Sequence, residues 1–252
     1  MKKFLLFLPM IIFAQVIRFS PLPTDTIDNL YTKYEPLLKY LSKKTGDEYK
    51  FVYSPTYKVL LDNFKSGKVD LITLGALPYL RLKEEFIYIK PIVTFLNKYK
   101  KPYYTCQIIT SDNNINSLDD ISMDTTVFLT NKLSTCGYLM TQYMFKKANK
   151  DLEEYNYKYV GNHVNVVYNV TLYNNAIGDV KSSIAKEYSH FVRVIDTSIR
   201  IPGFSLFVNT QKLSKKQIKK ITDSLKHYVN VIITPKDFYK PIEKIREEIK
   251  VQ

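Results

Sequence analysis

The sequence predicts an α/β protein of two lobes, each with a mostly parallel sheet flanked by helices, and with a hinge between the lobes. Short apolar runs typical of strands alternate with helical stretches, and the connections between them are short. This pattern favours parallel sheets covered by helices. A charged break at 98–102 and an Ile-Pro-Gly break at 201–203 interrupt the alternation. We therefore expect lobe 1 to comprise 15–102 and 198–252, and lobe 2 to comprise 103–197.

The N-terminus has the pattern of a secretory signal peptide. Lys2 and Lys3 precede an apolar run at 4–13, and the small residue Ala14 follows. A run of this length is too short to span a bilayer, which takes about 20 residues. Since no cysteine follows the run directly, we expect no lipid anchor. The predicted signal peptide is 1–14, and we expect the mature chain in the periplasm.

Lobe 1 is predicted from strands that alternate with amphipathic helices. The predicted strands are 16–20, 49–53, 69–73 and 87–95, with a further strand at 205–208. The first helix, 27–44, has apolar residues at helical spacing, and further helices are predicted from Ser54, from Gly75, at 215–229 and at 235–250. Pro36 is expected to begin a second helical segment within 27–44, because the missing N–H of proline matters least in a first turn.

Lobe 2 repeats the alternation. The predicted strands are 103–110, 127–129, 155–160, 176–180 and 191–195, and the predicted helices are 139–147, 182–187 and one that starts at His163. In such sheets ligands bind at the carboxyl ends of the strands. Two lobes joined by two crossing segments place a cleft between them, which closes around a ligand by a hinge motion.

The stretch 129–138 is the strongest candidate for a binding site. Ser134 and Thr135 lie between an apolar strand and a helix, where the first N–H groups lack intrahelical partners and the helix dipole is positive. Two hydroxyls at such an end form an anion site, although Ser134 could simply cap its own helix. Gly137 is expected to let the backbone come close to a bound ligand.

The two cysteines leave two interpretations open. Cys106 and Cys136 could form a disulfide in an oxidising compartment. Two buried free thiols are the alternative, which we favour.

The charge of the chain and the motifs that it lacks narrow the range of possible functions. The chain has a formal net charge of +13, but export and the absence of a recognition motif argue against nucleic acid as a partner. We find no nucleophile motif and no paired carboxylates, and His163, His190 and His227 are too scattered for a metal site. We therefore expect no enzyme activity, no metal and no cofactor.

Short segments along the chain resemble one family. They are residues 34–41, 56–57, 67–70, 74–79, 103–104, 117–120, 134–138, 161–163 and 201–203. In these segments the chain resembles the phosphate/phosphite/phosphonate substrate-binding proteins of ABC transporters. The resemblance implies the two-lobed periplasmic-binding-protein fold of type II topology.

The resemblance also implies which residues bind the ligand. The family's Ser-Thr-Ser-Gly-Tyr motif, which holds anionic oxygens, corresponds to Ser134, Thr135 and the backbone around Cys136, where one hydroxyl is missing. The family's tyrosine in lobe 1 corresponds to Tyr57, and its histidine in lobe 2 to His163. Tyr79 is expected to form a second aromatic wall.

One position departs from the family. Where the family presents an acidic residue to the ligand's protonated oxygen or amino group, the alignment places Lys181, or Asp179 if the register slips. A cleft-facing Lys181 would favour a fully charged anion over an aminoalkyl ligand. The alternative is that Lys181 lies on the solvated helix surface.

The sequence therefore predicts a monomeric extracytoplasmic protein that captures a small oxyanion for an ABC permease in the inner membrane. An alternative is a receptor subunit that closes on the same kind of ligand and docks onto a membrane sensor. Presence of a permease and an ATPase among neighbouring genes would favour the first interpretation.

Overall fold

The computed structural model describes residues 15–249, so the predicted signal peptide at 1–14 lies outside the described residues. Within 15–249, no helix combines the length and the apolar composition that crossing a membrane requires.

A six-stranded sheet forms the centre of lobe 1. Its strands are β1 (Val16–Ser20), β2 (Glu48–Phe51), β3 (Leu71–Leu74), β4 (Ile89–Phe95), β12 (Ser205–Asn209) and β13 (Val231–Ile233). They lie in the order β13-β4-β12-β3-β1-β2. β1 pairs in parallel with β2 and β3, whereas β12 is antiparallel to both β3 and β4, and β13 is antiparallel to β4.

Five helices cover this sheet. They are α1 (Ile27–Thr45), α2 (Tyr57–Lys65), α3 (Ala76–Glu85), α7 (Lys215–Leu225) and α8 (Lys240–Ile249). The Thr26 side chain caps α1, which ends at Gly46 with φ +71°, a conformation that glycine adopts without a steric penalty. The prediction of a second helical segment at Pro36 is wrong, because α1 is continuous. Pro36 lies on its exposed face, where water can satisfy the carbonyl that proline leaves without a donor.

A five-stranded sheet forms the centre of lobe 2. Its strands are β6 (Cys106–Thr110), β7 (Thr126–Leu129), β8 (Asn156–Tyr159), β9 (Ala176–Lys181) and β10 (Arg193–Thr197), in the order β10-β6-β9-β7-β8. Its helices are α4 (Thr141–Lys147), α5 (His163–Leu172) and α6 (Ser182–Glu187), and a π-helix, Thr135–Met140, precedes α4.

Both sheets are mixed rather than mostly parallel as predicted. β7 pairs in parallel with β8 and β9, but β6 is antiparallel to β9 and β10. The antiparallel strands β6 and β12 are those by which the chain enters a sheet after crossing between lobes. Both strands start at the cleft and run away from it. Strands that are joined by a helix run in the opposite direction and end at the cleft.

The two crossings meet in a small ribbon. β5 (Tyr103–Tyr104) pairs antiparallel with β11 (Ile201–Pro202), and the Gly203 N–H donates to the Pro102 carbonyl at 2.7 Å. A Cβ on Gly203 would lie 2.8 Å from that carbonyl oxygen, so only glycine permits this approach. The exact lobe boundaries predicted from the sequence stay a prediction.

The largest differences from the predicted elements are near the crossings and the C-terminus. The predicted strand 103–110 is divided into β5 and β6. The short strand β13 was not predicted, and α8 begins at Lys240 rather than at 235.

Cys106 and Cys136 form a disulfide, so the favoured interpretation of two free thiols is wrong. Both residues are almost fully buried, which is compatible with either interpretation. The deciding quantity is the distance between the Cα atoms, 5.2 Å, which sequence spacing does not reveal. The bond ties the start of the π-helix to the strand that enters lobe 2.

We predict that removal of this disulfide destabilises the protein. The two cysteines are 30 residues apart, and closing a loop of that length corresponds to about 3.5 kcal/mol of unfolded-state entropy. The double variant Cys106→Ser/Cys136→Ser should lose about that much unfolding free energy in urea titrations. Reductant should destabilise the wild type and leave the variant unchanged. If reductant left the urea midpoint of wild-type unfolding unchanged, the result would contradict the prediction.

Candidate ligand-binding site

A small cavity of about 20 Å³ lies between the lobes, at the carboxyl ends of β1, β3, β7, β8 and β9. Its lining residues are Leu22, Thr24, Tyr57, Gly75, Pro78, Tyr104, Leu133, Ser134, Thr135, Cys136, His163, Lys181 and Phe204. The structure thus brings together every predicted site residue except Tyr79. The volume is close to that of a single water site.

The hydroxyls of Ser134 and Thr135 already have protein partners. The Ser134 Oγ accepts from the Gly137 N–H at 3.0 Å, which is the predicted capping bond. The Thr135 Oγ1 accepts from the Leu77 N–H at 3.0 Å. Leu77 belongs to the first turn of α3, so this bond joins lobe 2 to a helix start of lobe 1.

The segment after Ser134 is a π-helix rather than the regular helix that was predicted. The Leu139 N–H reaches back to the Ser134 carbonyl at 3.4 Å, which gives a wider turn. π-Helical turns are often found at functional sites. The Gly137 N–H donates to the Ser134 hydroxyl, and the other N–H groups of the first turn have no intrahelical acceptor, so they can bind an anion.

Gly137 serves packing rather than ligand approach. A Cβ on Gly137 would lie 2.6 Å from the Thr130 backbone nitrogen and 2.1 Å from the Thr130 Oγ1. The close contact that the sequence assigned to a ligand is therefore made by the loop after β7. Glycine lets this loop and the π-helix pack against each other.

Two buried tyrosines add hydroxyls to the cavity. Burial raises the pKa of Tyr57 well above its usual range, and a hydrogen bond with the Ser134 hydroxyl offsets part of this rise. Burial likewise raises the pKa of Tyr104, which hydrogen-bonds the Thr135 hydroxyl. Both phenols therefore stay protonated at neutral pH and can donate hydrogen bonds.

Lys181 supplies the positive charge of the site. Its ammonium nitrogen lies 4.8 Å from the ring centroid of Tyr104 and 5.3 Å from that of Phe204. These rings are nearly parallel, with 4° between their planes. Burial, and secondarily the charge of Lys33, lower the pKa of Lys181 to about 8. The predicted alternative of a solvated helix residue does not describe this position.

His163 is a neutral member of the lining at physiological pH. Burial, followed by the Lys181 charge, lowers its pKa to about 4, although a hydrogen bond to the Asp179 backbone raises it somewhat. Its Nδ1 is buried and has no hydrogen-bond partner among residues 15–249.

Tyr79 lies elsewhere, contrary to the expectation of a second aromatic wall. Its ring stacks on Phe207 with 4.7 Å between centroids and contacts Tyr239 at 4.5 Å. Pro78, the residue before Tyr79 in α3, lines the cavity. Side chains of consecutive helical residues point about 100° apart, so Tyr79 faces another direction. Tyr79 therefore packs in the core of lobe 1.

Three polar or aromatic side chains of the cavity lining were not predicted as ligands from the sequence. Tyr104 and Phe204 come from the two crossing segments, and Thr24 follows β1. The crossing segments themselves were recognised as breaks. Their aromatic residues could have been proposed on the ground that such segments border the cleft.

Cys136 lines the cavity, and its sulfur is bonded to Cys106. Asp179 lies deeper on β9, fully buried, and does not line the cavity. Its Oδ2 accepts from the Thr141 hydroxyl at 3.0 Å, and its Oδ1 has no partner within the described chain. Of the two alternatives at this place, Lys181 and not Asp179 reaches the cleft.

We predict that Asp179 makes stability fall as the pH rises. Burial raises the pKa of Asp179 well above its ordinary value, so the unfolded chain loses this proton at lower pH than the folded protein. Stability from this group is full below about pH 4 and declines as the pH rises towards the folded-state pKa. In urea titrations between pH 4 and 8, Asp179→Asn should remove part of this decline, and the exposed control Asp119→Asn should not. Parallel curves for Asp179→Asn and wild type would contradict the prediction.

Comparison with known proteins identifies the family. Residues 19–238 match the family described as "ABC transporter, phosphonate, periplasmic substrate-binding protein". The chain belongs to this family. Its members are substrate-binding proteins of importers and not enzymes.

Solved structures confirm the two-lobed fold of periplasmic binding proteins. The binding-protein component of a phosphonate ABC transporter from Pseudomonas aeruginosa is 22% identical, with a TM-score of 0.82 over 94% of this chain and 87% of that chain. PhnD1 from Prochlorococcus marinus, in complex with methylphosphonate, is 15% identical, with a TM-score of 0.77 over 94% and 98%.

One curated relative has higher identity over a short stretch. The phosphate-import protein PhnD from Mycolicibacterium smegmatis is 31% identical over 67 residues, which are 27% of this chain and 21% of that protein. The alignment thus spans about a fifth of the relative's length.

Proposed function

We propose that this protein captures a small oxyanion between its lobes outside the cytoplasm and delivers it to an ABC permease. Family membership supports the role in import, and the signal-peptide pattern supports export to the periplasm. The ligand class follows from the chemistry of the cavity. Phosphite, phosphate and methylphosphonate are the candidates, and the protein acts as a monomer.

The observation that carries this proposal is the isolated charge of Lys181. Among residues 15–249 the Lys181 ammonium has no hydrogen bond and no ion pair; its contacts are with the rings of Tyr104 and Phe204. Lys181 is partly buried, and even partial burial of a charge without a partner costs free energy, of which cation–π contacts return about 0.5–2 kcal/mol. A bound anion would compensate the rest.

The other polar groups of the cavity favour an anion as well. The hydroxyls of Ser134, Thr135, Tyr57 and Tyr104 can all donate, and the first turns of α3 and of the π-helix direct N–H groups to the same place. No carboxylate belongs to the cavity lining among the described residues. An aminoalkyl group would therefore lack a negative partner and would lie beside the Lys181 ammonium.

Ligand entry requires the lobes to move apart. A tetrahedral oxyanion is larger than the cavity of about 20 Å³, and the bond from Leu77 to Thr135 closes the site from both lobes. An oxyanion would replace the Thr135 hydroxyl as acceptor for the Leu77 N–H. The β5–β11 ribbon is the place where the backbone can bend, which fits hinge closure of two rigid lobes.

We predict that Ser134→Ala/Thr135→Ala abolishes ligand binding. A thermal-shift screen of phosphate, phosphite, methylphosphonate, 2-aminoethylphosphonate and sulfate should give a raised melting temperature for at least one amine-free anion with the wild type. The double variant should show no shift, because two donors to the anion are lost.

The matched control is Ser214→Ala, which removes the same kind of capping bond from α7, far from the cavity. It should lose some stability and keep the full ligand shift. An undiminished shift in Ser134→Ala/Thr135→Ala would mean that the ligand binds elsewhere.

A further inference from the structure

A second and larger cavity adjoins the anion cavity. It measures about 510 Å³ and lies between the N-terminal part of α1 in lobe 1 and that of α5 in lobe 2. The two cavities share Thr24, His163, Lys181 and Phe204 as lining residues. A ligand whose anionic head occupies the small cavity would thus have space for a substituent in the large one. We name the large cavity the mouth cavity.

We propose that the mouth cavity is a subsite for a second anionic group, so that the ligand is a small phosphonate or related oxyanion with a short carboxylate-bearing arm. This inference rests on the proposed function. It extends that function by assigning Lys33, a residue outside the anion cavity, to recognition of the arm.

Lys33 and Lys181 supply the charge that this arm would meet. Lys33 belongs to α1 of lobe 1 and Lys181 to β9 of lobe 2, and both residues line the mouth cavity. Within the described chain neither lysine pairs with a carboxylate; the Lys33 ammonium lies 5.3 Å from the ring of its neighbour Tyr34. Their mutual repulsion contributes to the lowered pKa of Lys181. An anion between them would relieve this repulsion when the lobes close.

One carboxylate also lines the mouth cavity, but it is already engaged. The Asp25 Oδ1 accepts from the Thr26 N–H at 2.8 Å and from the Asn29 Nδ2 at 2.9 Å. These bonds hold Asp25 at the start of α1, where the helix dipole offsets a negative charge. With two ammonium groups and one carboxylate in its lining, the cavity retains a net positive charge.

The remaining lining argues against an apolar or a cationic arm. The lining contains the apolar residues Val164, Ile184 and Phe204, but Thr26, Asn162, Asn165 and Ser183 carry hydroxyls and amides. A purely apolar arm would desolvate these polar groups without replacing their hydrogen bonds. An ammonium group would add a third positive charge beside Lys33 and Lys181. A carboxylate can accept hydrogen bonds both from the hydroxyls and amides and from the ammonium groups of the two lysines.

Isothermal titration calorimetry with three phosphonates tests this inference. Methylphosphonate, phosphonoacetate and 2-aminoethylphosphonate share the anionic head and differ in the arm. For the wild type we expect phosphonoacetate to bind about tenfold more tightly than methylphosphonate, and 2-aminoethylphosphonate more weakly than both. Lys33→Gln should weaken phosphonoacetate binding by about tenfold and change methylphosphonate binding by no more than about twofold.

Lys43→Gln is the matched control, because Lys43 lies in the last turn of the same helix, is exposed, and lines none of these cavities. It should leave all three affinities unchanged. Equal affinity of the wild type for methylphosphonate and phosphonoacetate, or an equal loss of both in Lys33→Gln, would overturn the subsite while the proposed function stands. If none of the three phosphonates binds, the subsite is overturned, and the proposed function falls as well only if phosphate and phosphite also give no shift in the thermal-shift screen.

Discussion

Within residues 15–249, the ammonium of Lys181 is a partly buried charge that has no carboxylate partner. It lies 4.8 Å from the ring centroid of Tyr104 and 5.3 Å from that of Phe204, and each ring comes from one of the two segments that cross between the lobes. The ring contacts depend on the crossing segments being adjacent, which the β5–β11 pairing and Gly203 secure. The Lys181 side chain therefore contacts both crossing segments and also lines the cavity.

The surrounding groups make this charge effective. Phenols that stay protonated and a histidine that stays neutral add no compensating negative charge. The disulfide fixes the first turn of the π-helix against β6, next to the segment that carries Tyr104. Because these donors are held in place before a ligand arrives, less ordering is needed on binding.

The sequence predicted the parts of the site that depend on local pattern. Ser134 and Thr135 follow a buried strand and precede a helix, and His163 starts a helix, so each lies at the carboxyl end of a strand. The prediction for Tyr79 was wrong because a difference of one residue in α3 separates a cavity position from a core position. Tyr104 and Phe204 were missed because their proximity arises from two crossings about 100 residues apart. The disulfide depended on a distance that only the tertiary structure supplies.

The central claim is that a bound oxyanion is the counter-ion of Lys181. NMR titration of lysine side chains, assigned with Lys181→Gln, measures the pKa of Lys181 in the free and ligand-saturated protein. We predict a value near 8 in the free protein and an increase of at least about one unit, equivalent to about 1.4 kcal/mol, with methylphosphonate or phosphite bound. A Lys181 pKa that does not change when either anion saturates the protein would contradict the claim.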